Sequence, residues 1–244
     1  MKLLKIIIPG LMLVAIASPY VSCKRDMPQL APLQTNFSNS ASVQVFSATV
    51  KATRNYVYVD GVPVSGATVA QGGVFPGTAY AFMVTAGSRA FLIKDTLPTT
   101  TQVPLTFSQA MDAGKSYTIF TYDTTTSIKQ TTIVNNIVVP ADTSARLRFA
   151  NFVYNTVAVP NVDVYSFRKG TATPVFTNVA TATVTDFIPY PSGLTDTLYV
   201  YATGTTAPLL VKKLVPSLVP TRSYTSAYNG SYKGTKDVST FATY

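Results

Sequence analysis

The 244-residue chain has no histidine, no glutamate and no tryptophan, and it has a single cysteine. Each absence closes a route. Without His, no side chain has an ordinary pKa near 7, and nucleophilic triads built on His are excluded. Without Glu, the acidic set is ten Asp, scattered and mostly beside Gly, Thr or turn residues, where Asp commonly hydrogen-bonds local backbone. One Cys cannot close an intrachain disulfide. A metal would have oxygen ligands alone, and no Asp-x-Asp-x-Asp loop of the calcium-binding kind occurs. The chain is therefore expected not to be an enzyme and to carry no cofactor.

Long apolar runs are scarce as well. Ile6 to Ile16 is apolar but broken by Pro9 and Gly10, and it is too short to span a bilayer core of ~30 Å. With Lys2 and Lys5 before it, the run reads as an export signal. Cleavage after Ala17 would leave Cys23 as a free thiol. Cleavage before Cys23 would make it the first residue of an acylated chain, and this reading is favoured because neither packing nor a disulfide explains one cysteine at that place. "ASPYVSCKRD" (residues 17–26) resembles a bacterial lipoprotein signal, with "SCK" similar to the pattern frequent in Bacteroidota and Tyr20 standing where an aliphatic residue is usual. The resemblance implies a signal peptide at 1–22, lipid attachment at Cys23, membrane association through that lipid, and an outer-membrane lipoprotein of the cell envelope, on either the periplasmic or the surface face. Residues 23–40, polar and Pro/Asn/Ser-rich, read as a tether with a reach of at most about 55 Å.

What the chain does have is threonine, 36 of it, with Val and Tyr. This β-branched, aromatic composition predicts an all-β protein. In "ARLRFAN", Leu147 and Phe149 take one face and Arg146 and Arg148 the other. In "VDVYSF", Val162, Val164 and Ser166 oppose Asp163, Tyr165 and Phe167. "TLYVYA" (197–202) is a further strand.

Four segments recur in order. "SVQVFSA" (42–48) pairs with "ARLRFAN" (145–151), "NYVYVDG" (55–61) with "NVDVYSF" (161–167), "AGSRAFLIKDTLP" (86–98) with "TGTTAPLLVKKLVP" (203–216), and "AGKSYTIFTY" (113–122) with "PTRSYTSAYN" (220–229). On this alignment the first copy carries an insertion of about eleven residues between Pro98 and Ala113. The expectation is two tandem antiparallel β-sandwiches, Ig-like or transthyretin-like, at 41–128 and 144–230. Residues 129–143 would be a linker and 231–244 a tail or edge strand. The second copy, through "ARLRFANFVYNTVAVPNVDVYSF", "VFTNVATATVTDFIPYPSG", "LYVYATGTTAPLL" and "RSYTSAYNG", resembles domain-of-unknown-function family 4397. That resemblance implies an exported β-sandwich with no assigned reaction.

The net charge of +9 falls to +7 without Lys2 and Lys5. Lys212-Lys213, Arg168-Lys169 and Arg146/Arg148 are read first as solvated strand faces and second as contacts for anionic glycans; nucleic acid is not expected as a partner. Tyr224, Tyr228 and Tyr232 are read as core tyrosines, with a sugar platform as the alternative. "DTL" (95–97), "DTT" (123–125) and "DTL" (196–198) resemble the Asp-Thr pattern carrying O-glycans on exported Bacteroidota proteins, which makes Thr96, Thr124 and Thr197 acceptor candidates, Thr124 favoured. The favoured function is a non-catalytic, lipid-anchored envelope protein acting as a structural or interaction module with an envelope protein or glycan partner. Its rival is a surface glycan-binding lipoprotein that captures polysaccharide.

Overall fold

The computed structural model describes residues 37–77 and 80–244. Cys23, the signal peptide and most of the tether lie outside the described residues. Those described form eighteen strands and no α-helix, as the Thr/Val/Tyr-rich alternating runs demand.

The first repeat contains β1 (Ser40–Ser47), β2 (Asn55–Val59), β3 (Val62–Pro63), β4 (Val74–Phe75), β5 (Phe82–Thr85), β6 (Gly87–Asp95), β7 (Leu105–Met111), β8 (Ser116–Tyr122) and β9 (Lys129–Val134). The second contains β10 (Ala145–Tyr154), β11 (Val162–Arg168), β12 (Thr171–Val179), β13 (Thr183–Val184), β14 (Ile188–Tyr190), β15 (Asp196–Ala202), β16 (Val211–Val215), β17 (Ser223–Ser231) and β18 (Lys236–Thr243). Each repeat is a sandwich. Its four-stranded sheet has the order β3-β2-β6-β7 or β12-β11-β15-β16. Its five-stranded sheet has the order β4-β1-β8-β9 or β13-β10-β17-β18, with β5 and β14 also pairing β1 and β10.

Four expectations change. The sandwiches are mixed, because β1 and β8 pair in parallel, as do β10 and β17. Residues 129–134, expected in the linker, form β9 on the edge of the first repeat, the counterpart of β18 at 236–243, which is the edge strand expected as one alternative for 231–244. The supposed insertion after Pro98 holds β7, which borders β6 as β16 borders β15; the partner of "SRAFLIKD" is therefore "DTLYVYA", not the β16 segment. Finally, Ser42 pairs with Ser116 while Arg146 pairs with Ser223, so Ser42 is equivalent to Arg146 and the alignment of the opening strands moves by one residue. A one-residue slip exchanges the two faces of a strand, so the shift decides which side chains are comparable. Gln44 is the counterpart of Arg148.

Inside the first sandwich, Val43, Val45, Val57, Phe91, Ile93 and Ile119 form one core. In the second, Leu147, Phe149, Val164, Leu198, Val200 and Tyr228 form another. A third core joins the repeats. The outward faces of the two five-stranded sheets bury Phe46, Phe120, Phe152, Ala150, Ala227 and Phe241 together. Phe46 stacks on Phe241 at 5.2 Å and Phe120 on Phe152 at 4.7 Å between ring centroids. Gly72 lies against this seam at φ +78°, and a Cβ there would meet Ser239 Oγ at 3.1 Å, so neither the backbone shape nor the space admits a side chain easily.

Candidate functional site

With the two five-stranded sheets packed back-to-back at the seam, the outer faces of the four-stranded sheets are left to solvent. On that face of the second repeat the sequence alternation places Tyr165 and Phe167 of β11 beside Tyr199 and Tyr201 of β15. The four rings form a continuous half-buried strip. Phe167 stacks on Tyr199 at 5.1 Å, Tyr199 meets Tyr201 edge-on at 6.4 Å, and Tyr201 meets Tyr165 edge-on at 5.7 Å. Lys212 on β16 sits 5.5 Å from the centre of the Tyr199 ring. At the Phe167 end the strip runs into a pocket of about 690 Å³ lined by Arg168, Lys169, Leu194, Thr197 and Leu214 among others.

A rigid support underlies that end. Asp196 accepts hydrogen bonds from Ser166 Oγ (2.5 Å), Arg168 Nε (2.9 Å), the Tyr190 hydroxyl and the Thr197 N–H (2.6 Å). Burial opposes its ionisation, but these donors together outweigh burial and hold the carboxyl below the usual carboxylate range. Burial, reinforced by the Asp196 contact, pushes the Tyr190 phenol up to about 12. Arg168 also donates to the Pro191 carbonyl (3.1 Å) and lies over the Tyr190 ring at 4.9 Å. These contacts fix the strand ends from which Phe167 and Thr197 project.

The first repeat offers a reduced version. Counting back from the matching left-handed turns Asp60-Gly61 and Lys169-Gly170, Tyr56 and Tyr58 occupy the places of Tyr165 and Phe167. Their cross-strand partners are Lys94 and Leu92, where the second repeat has Tyr199 and Thr197, and Lys94 covers Tyr58 at 5.1 Å. A pocket of about 480 Å³ beside them is lined by Tyr56, Tyr58, Lys94 and Thr96 among others.

The residues singled out in the sequence are dispersed. Of the threonines, Thr96 is exposed beyond β6, Thr124 is half-buried with its hydroxyl 3.2 Å from that of Thr126, and Thr197 is half-buried in β15. The Asp of each "DTL" is buried and occupied, Asp95 by Arg54, Leu97 N–H and Thr100, Asp196 as above. Tyr228 is fully buried, and Tyr224 and Tyr232 pack against the second core, Tyr224 accepting from the Val219 N–H. The basic pairs do not make one patch. Arg168 is tied to Asp196, Lys213 pairs with Asp237 at 2.5 Å, and Arg148 is buried instead of lying on a solvated face. The aromatic strip went unnamed in the sequence although its alternation was legible, because nothing short of strand pairing shows that "VYSF" and "LYVY" are neighbours.

No protein-family model matches the chain, and no curated protein matches it either. Among solved structures it is similar to the family 26 carbohydrate-binding module CBMbc of Eubacterium rectale Amy13K, solved in complex with maltoheptaose. Identity is 14%, the match covers 82% of this chain and 95% of that one, and the TM-score is 0.25.

Proposed function

We propose that this protein is a non-catalytic binding module of the bacterial envelope, anchored by lipid on Cys23, that holds a saccharide chain on the aromatic face of its second repeat. The observation that carries the reading is the strip Phe167–Tyr199–Tyr201–Tyr165. Rings that are half-buried are rigid, and tyrosines combine an apolar body with a hydroxyl at the tip, which suits a ligand with apolar ring faces edged by hydroxyls. A strip of four adjoining rings accommodates a chain better than a single small molecule. The pocket at the Phe167 end adds Lys169 and Thr197 for orientation. The test is a glycan array probed with the chain carrying Cys23→Ala, followed by calorimetric titration of the oligosaccharides it retains. Retention that is lost in Tyr199→Ala supports the reading; retention unchanged in Tyr199→Ala and Phe167→Ala would move the site elsewhere.

A further inference from the structure

The seam between the repeats contains a buried cation with no anion beside it. Arg148 is 2% exposed. Its Nε donates to Thr225 Oγ1 at 2.8 Å, and its Nη2 donates to Asn135 Oδ1 at 2.7 Å and Thr118 Oγ1 at 3.2 Å. Every one of these acceptors is neutral. Asn135 is itself held by Ser116 Oγ and the Tyr244 carbonyl, so it cannot turn away. The Nη1 group has no acceptor among the described residues, and the guanidinium lies 4.7 Å from the centre of the Phe187 ring. Burial pushes the pKa of Arg148 down to about 9, which still leaves it charged at neutral pH.

Arg148 lines a pocket of about 380 Å³ together with Arg146, Asn136, Asp186, Phe187 and Val138 among others. Arg146 spends one nitrogen on Ser144 Oγ at 2.7 Å and the Ala145 carbonyl at 3.5 Å. Asp186, on the rim, is exposed. The pocket therefore holds two cations and one anion, with the least hydrated cation in its floor. Burying a charge is costly unless it is paired, and a charged partner is the missing element here.

We propose that this pocket binds a carboxylate, with one oxygen on Arg148 Nη1 and the group flanked by Arg146. The carboxylate belongs either to a small organic acid or to a uronic acid unit of a glycan; the recognising chemistry is the same. The site is separate from the aromatic face and stands whether or not that face holds sugar. It also answers the contrast with Gln44. At the equivalent place in the first repeat, Gln44 Nε2 donates to the Tyr80 carbonyl (2.8 Å) and the Ala242 carbonyl (3.0 Å), and its Oε1 accepts from the Tyr244 N–H (3.1 Å). There the protein itself completes the bonding.

The test is thermal melting of the chain carrying Cys23→Ala in sodium glucuronate, sodium acetate, glucose, and sodium chloride at matched ionic strength. A ligand that binds only the folded state raises Tm with the logarithm of its concentration. A rise in glucuronate and acetate beyond that in chloride identifies the carboxylate itself, and a rise in glucuronate alone identifies an acidic sugar. Either rise should vanish in Arg148→Gln, which copies Gln44. Should that variant fail to fold, two rim variants carry the test: Asp186→Asn should tighten apparent binding severalfold and Arg146→Gln should weaken it severalfold. No carboxylate-specific rise in the parent chain, or an equal rise in Arg148→Gln, overturns the proposal, as does indifference to both rim changes.

Discussion

Gln44 and Arg148 stand at the same place in two copies of one fold, each next to a Thr of a matching Ser-Tyr-Thr strand and each turned toward the other repeat. Gln44 finds three backbone partners there. Arg148 finds three neutral side chains and an open pocket. The outer faces differ in the same way, since Tyr56 and Tyr58 are backed by Lys94 and Leu92, whereas Tyr165 and Phe167 are joined by two further rings. Both differences set the same repeat apart. At these two places the first copy supplies its own partners, whereas the second leaves a strip of rings and a pocket beside Arg148 open, as the proposed binding requires. On the proposed reading, the shared seam lets the repeats pool stability while saccharide binding is concentrated in one.

The largest expected effect tests the pooling. Phe152 stacks on Phe120 across the seam, and Phe152→Ala should cost about 3–5 kcal/mol. Urea denaturation should show one cooperative transition shifted to lower midpoint. Two separate transitions, with only the second repeat's moved, would show that the repeats are energetically independent.

Next in size is the pair of buried carboxylates. Asp196 accepts from Arg168, whose side chain is 19% exposed, while Asp95 accepts from Arg54, which is 45% exposed. Asp196→Asn should therefore cost about 2–4 kcal/mol and Asp95→Asn about 1 kcal/mol, solvent screening accounting for the difference. Burial works against both ions less than their donors work for them: Asp95 is held below the usual range first by Arg54, and Asp196 by Ser166, Tyr190 and Arg168 acting against burial. For a carboxyl with a lowered folded pKa, the stabilisation is present above the unfolded value near 4 and is lost as pH falls through the folded value. The gap between parent chain and Asp196→Asn should close from pH 5 downward in urea titrations. A gap independent of pH would mean that shape, not charge, is what Asp196 supplies.

Smaller still is the effect of making the seam symmetrical. Removing an unpaired buried charge relieves its desolvation, so Arg148→Gln should leave stability within about 1 kcal/mol of the parent or raise it. The cost of the buried guanidinium is present while it is protonated and is relieved as pH rises through about 9. A loss of several kcal/mol at pH 7 would show that the three neutral acceptors compensate the charge fully.

How far the sequence revealed this arrangement follows from what is local. Strand content, the two copies and the faces of "VDVYSF" come from the period of two, which depends on nearest neighbours alone. Registration does not. "SVQVFSA" and "ARLRFAN" align about equally well one residue apart, yet only one alignment makes Gln44 the counterpart of Arg148, and β7 reads as an insertion because "LTFSQAM" has little in common with "VKKLV". Arg148 reads as a surface residue because alternation says which side chains leave the sandwich core but not that a second sandwich covers them. The aromatic strip failed to emerge for the same reason: its members come from strands some thirty residues apart whose pairing no local pattern encodes. Tyr224, Tyr228 and Tyr232 cluster in the chain, yet they serve the second core.

The claim that binding is concentrated on the second repeat is tested most directly by calorimetric titration of one array-selected oligosaccharide into three proteins: the parent carrying Cys23→Ala, that chain with Tyr199→Ala, and that chain with Tyr58→Ala. Tyr199→Ala should weaken binding at least tenfold, in line with the ~1–3 kcal/mol scale on which a single buried aromatic contact acts, with the fold retained. Tyr58→Ala should leave the affinity unchanged. Equal losses in both variants, or a loss confined to Tyr58→Ala, would contradict the division of labour between the repeats.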